Sequence, residues 1–146
     1  MFSALTEKLK KIDALSDAEA FKFLQRNDSL KERIIYLNTD EQLYNQGVDS
    51  LNRLIGKYAP STKQIKAARG QRNDHITLRD TGEFYESFRV VPSGDALLIK
   101  ANPIKDDDNL FELYGKDIVG LTQGSKESLR IQVRELLKAY IRLKTR

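Results

Sequence analysis

The sequence predicts an α+β fold: a helical N-terminal arm, a small antiparallel β-sheet with a hairpin packed by helices, and a long C-terminal amphipathic helix. Three observations predict it. Apolar residues recur at helical spacing through the first 47 positions. Two short β-rich runs flank Ser93-Gly94-Asp95. Near the end, Leu129, Val133, Leu136, Leu137, Tyr140 and Ile141 form one continuous stripe.

Taken in order, Phe2, Leu5, Leu9 and Ile12 recur every three or four residues, with Lys8, Lys10 and Lys11 elsewhere on the wheel, which predicts a short amphipathic helix. Ser16-Asp17-Ala18-Glu19 and Thr39-Asp40-Glu41-Gln42 both have the capping-box pattern and predict two helix starts. Between them Phe21 and Leu24, then Leu30, Ile34 and Leu37, keep a helical period that Asn27-Asp28-Ser29 is expected to interrupt. Gly47 is placed to end the last of these helices. Residues 1–47 are thus read as a helical region and 48–146 as the α+β domain, together one structural unit.

In the second region Pro60 forces a break at Ala59, and Ser61 is expected to cap a helix running to Arg69 with Gly70 as its stop. His75-Ile76-Thr77-Leu78 reads as a short strand. Asp80-Thr81-Gly82-Glu83 is expected to cap an aromatic helical turn carrying Phe84, Tyr85 and Phe88, with Asp80 as N-cap. Residues 89–93 and 96–101 are the hairpin strands. Asp106, Asp107 and Asp108 are expected at the start of a short helix that Gly115 ends. An apolar link, Ile118 to Thr122, leads into the long helix, which opens at Thr122 or Ser125.

The 146 residues include no Cys and one His. Thiolate chemistry and a multi-histidine metal site within one chain are therefore excluded. No apolar run reaches the roughly 20 residues that span a bilayer, and the N-terminus lacks the apolar core of a signal peptide, so no membrane partner is expected. The net charge of +4 hides alternating blocks: −2 over 1–52, +6 over 53–79, −5 over 80–117, zero over 118–125 and +5 over 126–146. Such blocks suit complementary contacts within a chain or between copies. On the last helix Arg130, Arg134, Lys138 and Arg142 follow one another at four-residue spacing opposite the apolar stripe, and they form a candidate protein interface.

Catalytic patterns are not found. His75 stands between Asp74 and Ile76 and reads as a surface or loop-anchoring histidine. The three consecutive aspartates lack the spacing of a calcium loop, and no phosphate-binding glycine loop occurs. No cofactor or metal is expected, and the chain is read as a non-enzyme. The two basic blocks leave an alternative open: a non-catalytic nucleic-acid-binding protein using segments 53–79 and 126–146.

One stretch carries a family pattern. Tyr58-Ala59-Pro60-Ser61-Thr62 and Lys63-Gln64-Ile65-Lys66 precede Leu78-Arg79-Asp80-Thr81-Gly82-Glu83-Phe84-Tyr85-Glu86-Ser87-Phe88. A hairpin and then Leu113-Tyr114-Gly115 follow. This order resembles small tail-completion and virion-morphogenesis proteins of tailed bacteriophages, over roughly residues 43–122. Many relatives carry Pro-Ala-Arg-Pro-Phe before the last helix, where this chain has Ile118 to Thr122. The resemblance implies a structural virion protein of the neck, assembled in the host cytoplasm. It would join head to tail as a homo-oligomeric ring between connector and tail tube. It also singles out Leu78, Asp80, Thr81, Gly82, Phe84 and Ser87 as the residues of the shared motif.

Overall fold

A computed structural model describes residues 16–145; the helix expected over Met1 to Ile12 lies outside them. Helix α1 (Ser16–Arg26) ends at Asn27, whose side-chain oxygen accepts from the Leu30 amide at 2.8 Å and so caps α2 (Asp28–Tyr36). The expected interruption is therefore a true helix boundary.

The expected new start at Thr39 is not. Helix α2 runs on without a break into a π-helical stretch, Leu37–Gln46. The Thr39 hydroxyl donates back to the Ile35 carbonyl at 2.7 Å, a bond available only within a continuing helix. Gly47 closes the stretch at φ +68, as expected. A side chain there would also collide with His75, whose Cδ2 lies 2.4 Å from where a Cβ would stand.

After Gly47 the chain is irregular to residue 59. Helix α3 (Pro60–Ala68) follows, with Pro60 at its first helical position and no side-chain cap from Ser61. Proline fits there because its missing N–H would have had no helical partner. The strand expected over His75 to Leu78 is not formed. Its groups take scattered partners instead: the Ile76 amide donates to Gly56, the Thr77 amide to the Tyr58 hydroxyl, and Leu78 turns to φ +60.

Helix α4 (Glu83–Glu86) leads into β1 (Arg89–Ser93) and β2 (Ala96–Lys100), which pair antiparallel in the register Val90 to Ile99. A second, two-rung hairpin joins β3 (Ile104–Lys105) to β4 (Asp108–Asn109). Asp106 at φ +52 and Asp107 form its turn, and Asn109 rather than an aspartate caps α5 (Leu110–Tyr114). The triple aspartate therefore builds a hairpin, correcting the helix start expected of it. A 3₁₀ turn, Lys116–Ile118, and an extended link reach α6 (Gln123–Lys144), N-capped by Thr122 through the Ser125 amide at 3.1 Å.

The α+β class and the long last helix stand as expected. The two regions divided at residue 47 are interleaved: α6 packs on α1 and α2, and β1 packs on α2. One apolar cluster joins Ala20, Leu137 and Tyr140, with the Phe23 and Tyr140 rings 5.1 Å apart. A second joins Leu30, Ile34 and Val90 with Leu129, Val133 and Leu136. The third gathers Leu43, Phe84, Phe88, Leu110 and Ile118. The stripe read from the sequence supplies the first two, and the aromatic turn supplies the third.

Candidate functional site

The centre of the molecule is a polar clamp. Asn38 and Gln42, one turn apart on the π-helical stretch, are fully buried. The Asn38 amide donates to the Ile118 carbonyl at 3.1 Å, and its oxygen accepts from the Gly120 amide at 2.8 Å. Gln42 repeats the pattern, donating to the Gly120 carbonyl at 2.8 Å and accepting from the Thr122 amide at 2.9 Å. Two side-chain amides thus do for residues 118–122 what a neighbouring strand would do, and they satisfy a link that has no strand partner. Because Thr122 caps α6, the clamp also fixes where the last helix begins.

Around this centre residues 77–88 form one packed block. Phe84 and Phe88 meet edge to face at 5.1 Å in the core. The Ser87 hydroxyl donates to the Phe84 carbonyl and accepts from the Asn102 amide at 2.9 Å, tying α4 to the chain leaving β2. Gly82, at φ +92, is the N-cap of α4, and Thr81 accepts from the Glu83 amide at 3.3 Å. Asp80 is not the cap expected of it. Its carboxylate lies 3.1 Å from Lys105 and 3.8 Å from Arg69, and Lys105 holds it below the usual carboxylate range.

Leu78 sits against the aromatic cluster with its backbone in the left-handed region, which costs a branched residue on the order of 1–2 kcal/mol. Thr77, almost completely buried, holds it there. Its amide donates to the Tyr58 hydroxyl at 3.0 Å, its carbonyl accepts from the Tyr85 hydroxyl, and its own hydroxyl accepts from the Arg79 amide at 3.2 Å. Burial pushes the Tyr85 hydroxyl far above its ordinary value, with Asp40 adding to the effect.

His75 anchors a loop, as expected: its Nε2 donates to the Tyr44 carbonyl at 2.7 Å, at the end of the π-helical stretch. Cations stack nearby. Arg72 and Arg79 lie 5.6 and 5.5 Å from the Tyr44 ring, and Lys66 lies 4.8 Å from that of Tyr58. Arg72 also grips Asp74 at 2.7 Å and holds that carboxyl at about 2.

The candidate row on the last helix is partly answered within its own helix. Arg130 pairs with Glu127 at 2.8 Å and Lys138 with Glu135 at 3.3 Å, while Arg134 and Arg142 enter no ion pair among the described residues. Exposed Ile131 and Leu143 lie on the same helix. Among the described residues no group of three or more His, Asp or Glu could hold a metal ion, and no helix is long and apolar enough to cross a membrane.

The sequence reading missed the clamp, because buried Asn and Gln on a helix look like surface residues. The available signal was their four-residue spacing beside Leu43 on the buried side. No protein-family model, curated protein or solved structure matches the chain.

Proposed function

We propose that this chain is a structural protein of a tailed-phage virion, acting without catalysis in tail completion or head–tail joining by ring assembly. The observation that carries the reading is the motif block. Leu78, Gly82, Phe84 and Ser87 are consecutive parts of one unit that seats the hairpin, in the order the resemblance requires. Phe84 lies in the core and Ser87 ties the helical turn to the chain after β2, which suits a building block better than a reaction centre. Exposed apolar residues on several elements, Leu54, Ile65, Ile104, Leu113 and Ile131 among them, supply contact points for neighbouring proteins.

The nucleic-acid alternative is less favoured, because Asp74 and Asp80 stand among the cations of segment 53–79 and would repel a phosphate chain. The test is to delete the coding sequence from the genome that carries it and image the particles by electron microscopy. Separate heads and tails are the expected result; complete virions would overturn the reading.

A further inference from the structure

The apolar cluster of Leu30, Ile34 and Val90 is open on one side. Leu97, Leu121, Leu129 and Val133 pack against it yet stay half-buried. They line a groove of about 1310 Å³ between α1, α2, β2 and the start of α6. At its rim Phe21 is 46% exposed. The walls are fixed: the Gln25 side chain donates to the Gly94 and Ala96 carbonyls at 2.9 and 3.1 Å and so ties α1 to the hairpin. An aromatic ring half in water beside half-buried leucines is a contiguous apolar surface of the kind that takes a cover.

The chain carries a cover of matching chemistry. Phe2, Leu5, Leu9 and Ile12 make one apolar stripe over eleven residues, with Lys8, Lys10 and Lys11 off it. A helix that short is marginal in water and persists by burying its stripe. At 1.5 Å per residue it measures about 16 Å by about 10 Å, a rod of about 1300 Å³, which the groove can hold. Its attachment fits too. Asp13, Ala14 and Leu15 alone separate Ile12 from Ser16, where α1 opens. Antiparallel helices are joined by about two to five residues. Turned back there, the segment runs beside α1, passes Phe21 near Leu9 and carries Phe2 beyond Gln25 into the groove.

Charge chooses the flank. On its other side α1 borders a cleft that holds Lys22, Arg26 and Lys144. Glu19, the acid of that cleft, is already taken by Lys144 at 3.5 Å and by the Tyr140 hydroxyl at 3.0 Å. Residues 1–12 carry a charge of +2 and are repelled there. In the groove Arg33 and Lys126 are balanced by Glu41 and Asp95, and Asp95 stands at the hairpin turn that Gln25 holds.

We propose that residues 2–12 fold back as a helix and lie in this groove of their own chain, with their stripe over Phe21 and the half-buried leucines. The contact is intramolecular and does not depend on the virion reading.

The test is amide hydrogen exchange by NMR on the full chain in the wild type, Phe21→Ser and Lys22→Ser. In the wild type the amides of residues 6–12 should exchange about a hundredfold more slowly than in an unstructured chain, and equally so after dilution. Phe21→Ser, in the groove, should remove about tenfold or more of that protection. Lys22→Ser, its neighbour on the other flank, should leave it intact. Unchanged core amides of α2 and α6 show that each variant is folded. Leu9→Ser reads the same contact from the segment: the amide shifts of Gln25, Leu97 and Leu121 should move, and those of Phe23 and Lys144 should not.

Fast exchange across residues 6–12 in the wild type, protection that survives Phe21→Ser or is lost equally in Lys22→Ser, or shifts at Phe23 and Lys144 instead of the groove would each overturn the proposal. So would protection that fades on dilution, which would give the groove to a second copy, or protection seen only with phosphatidylserine vesicles, which would give the segment to a membrane. A segment that never docks leaves the function above standing.

Discussion

The helical layer and the irregular body of this protein are held by different forces. In the layer, α1, α2 and α6 bury Ala20, Leu30, Ile34, Leu137 and Tyr140 against one another, and polar groups serve the edges, as where Tyr140 donates to Glu19 at 3.0 Å. In the body, residues 47–122 have short strands and long loops, so most backbone groups lack a regular partner. Individual side chains supply those partners instead: Asn38 and Gln42 for the link, Tyr58 for Thr77, His75 for Tyr44, and Asp49 for the amides of Leu51 and Arg53. Apolar packing is distributed and tolerates small changes. A side chain that is the sole partner of a buried backbone group is not replaceable in that way.

The contrast is broken most severely at the clamp. Gln42→Leu keeps the volume but leaves the Gly120 carbonyl and Thr122 amide without partners, and it should cost about 4 kcal/mol in urea unfolding. Leu137→Ala, in the layer, removes more apolar contact but strands no polar group, and should cost about 3 kcal/mol. If the two costs were reversed by a wide margin, the body would be held by packing like the layer.

Smaller effects sharpen the same comparison. Gly47→Ala forces a positive φ on alanine and pushes His75 off the Tyr44 carbonyl, for roughly 2 kcal/mol by thermal unfolding. Thr122→Ala removes the cap of α6 and should cost about 1 kcal/mol.

The pH dependence adds a signature within the body. Tyr85 has its folded hydroxyl raised above the ordinary 10.0, so its contribution is fully present below that value. Above it the unfolded chain ionises while the folded one stays protonated, and stability falls with rising pH. Tyr85→Phe should flatten that alkaline decline in denaturant titrations between pH 9 and about 11.

The helices were legible because burial writes a 3.6-residue period into the sequence, and α6 carries it from Leu129 to Ile141 without a fault. The first hairpin was legible from its turn. The failures share one cause. Thr39, Ser61 and Asp80 have the side chains of caps, but a cap depends on whether the chain is turning there. Thr39 lies inside a continuing helix, Pro60 already opens α3, and Asp80 is drawn off by Lys105. The strand expected over His75 to Leu78 has the right composition but no neighbouring strand to pair with. What seats Leu78, Thr77 between two tyrosine hydroxyls, depends on partners 19 and 8 residues away.

Side-chain amides, not a strand, hold the link on which α6 begins. Hydrogen exchange measured by NMR at the Gly120 and Thr122 amides tests it most directly. Both should be protected to the level of the core amides of α2 and α6, although neither lies in a helix or strand. In Asn38→Ala the protection of Gly120 should be lost first, while amides at the centre of α6 keep theirs. Rapid exchange at both positions in the unmodified protein would mean that the two amides do not hold the link.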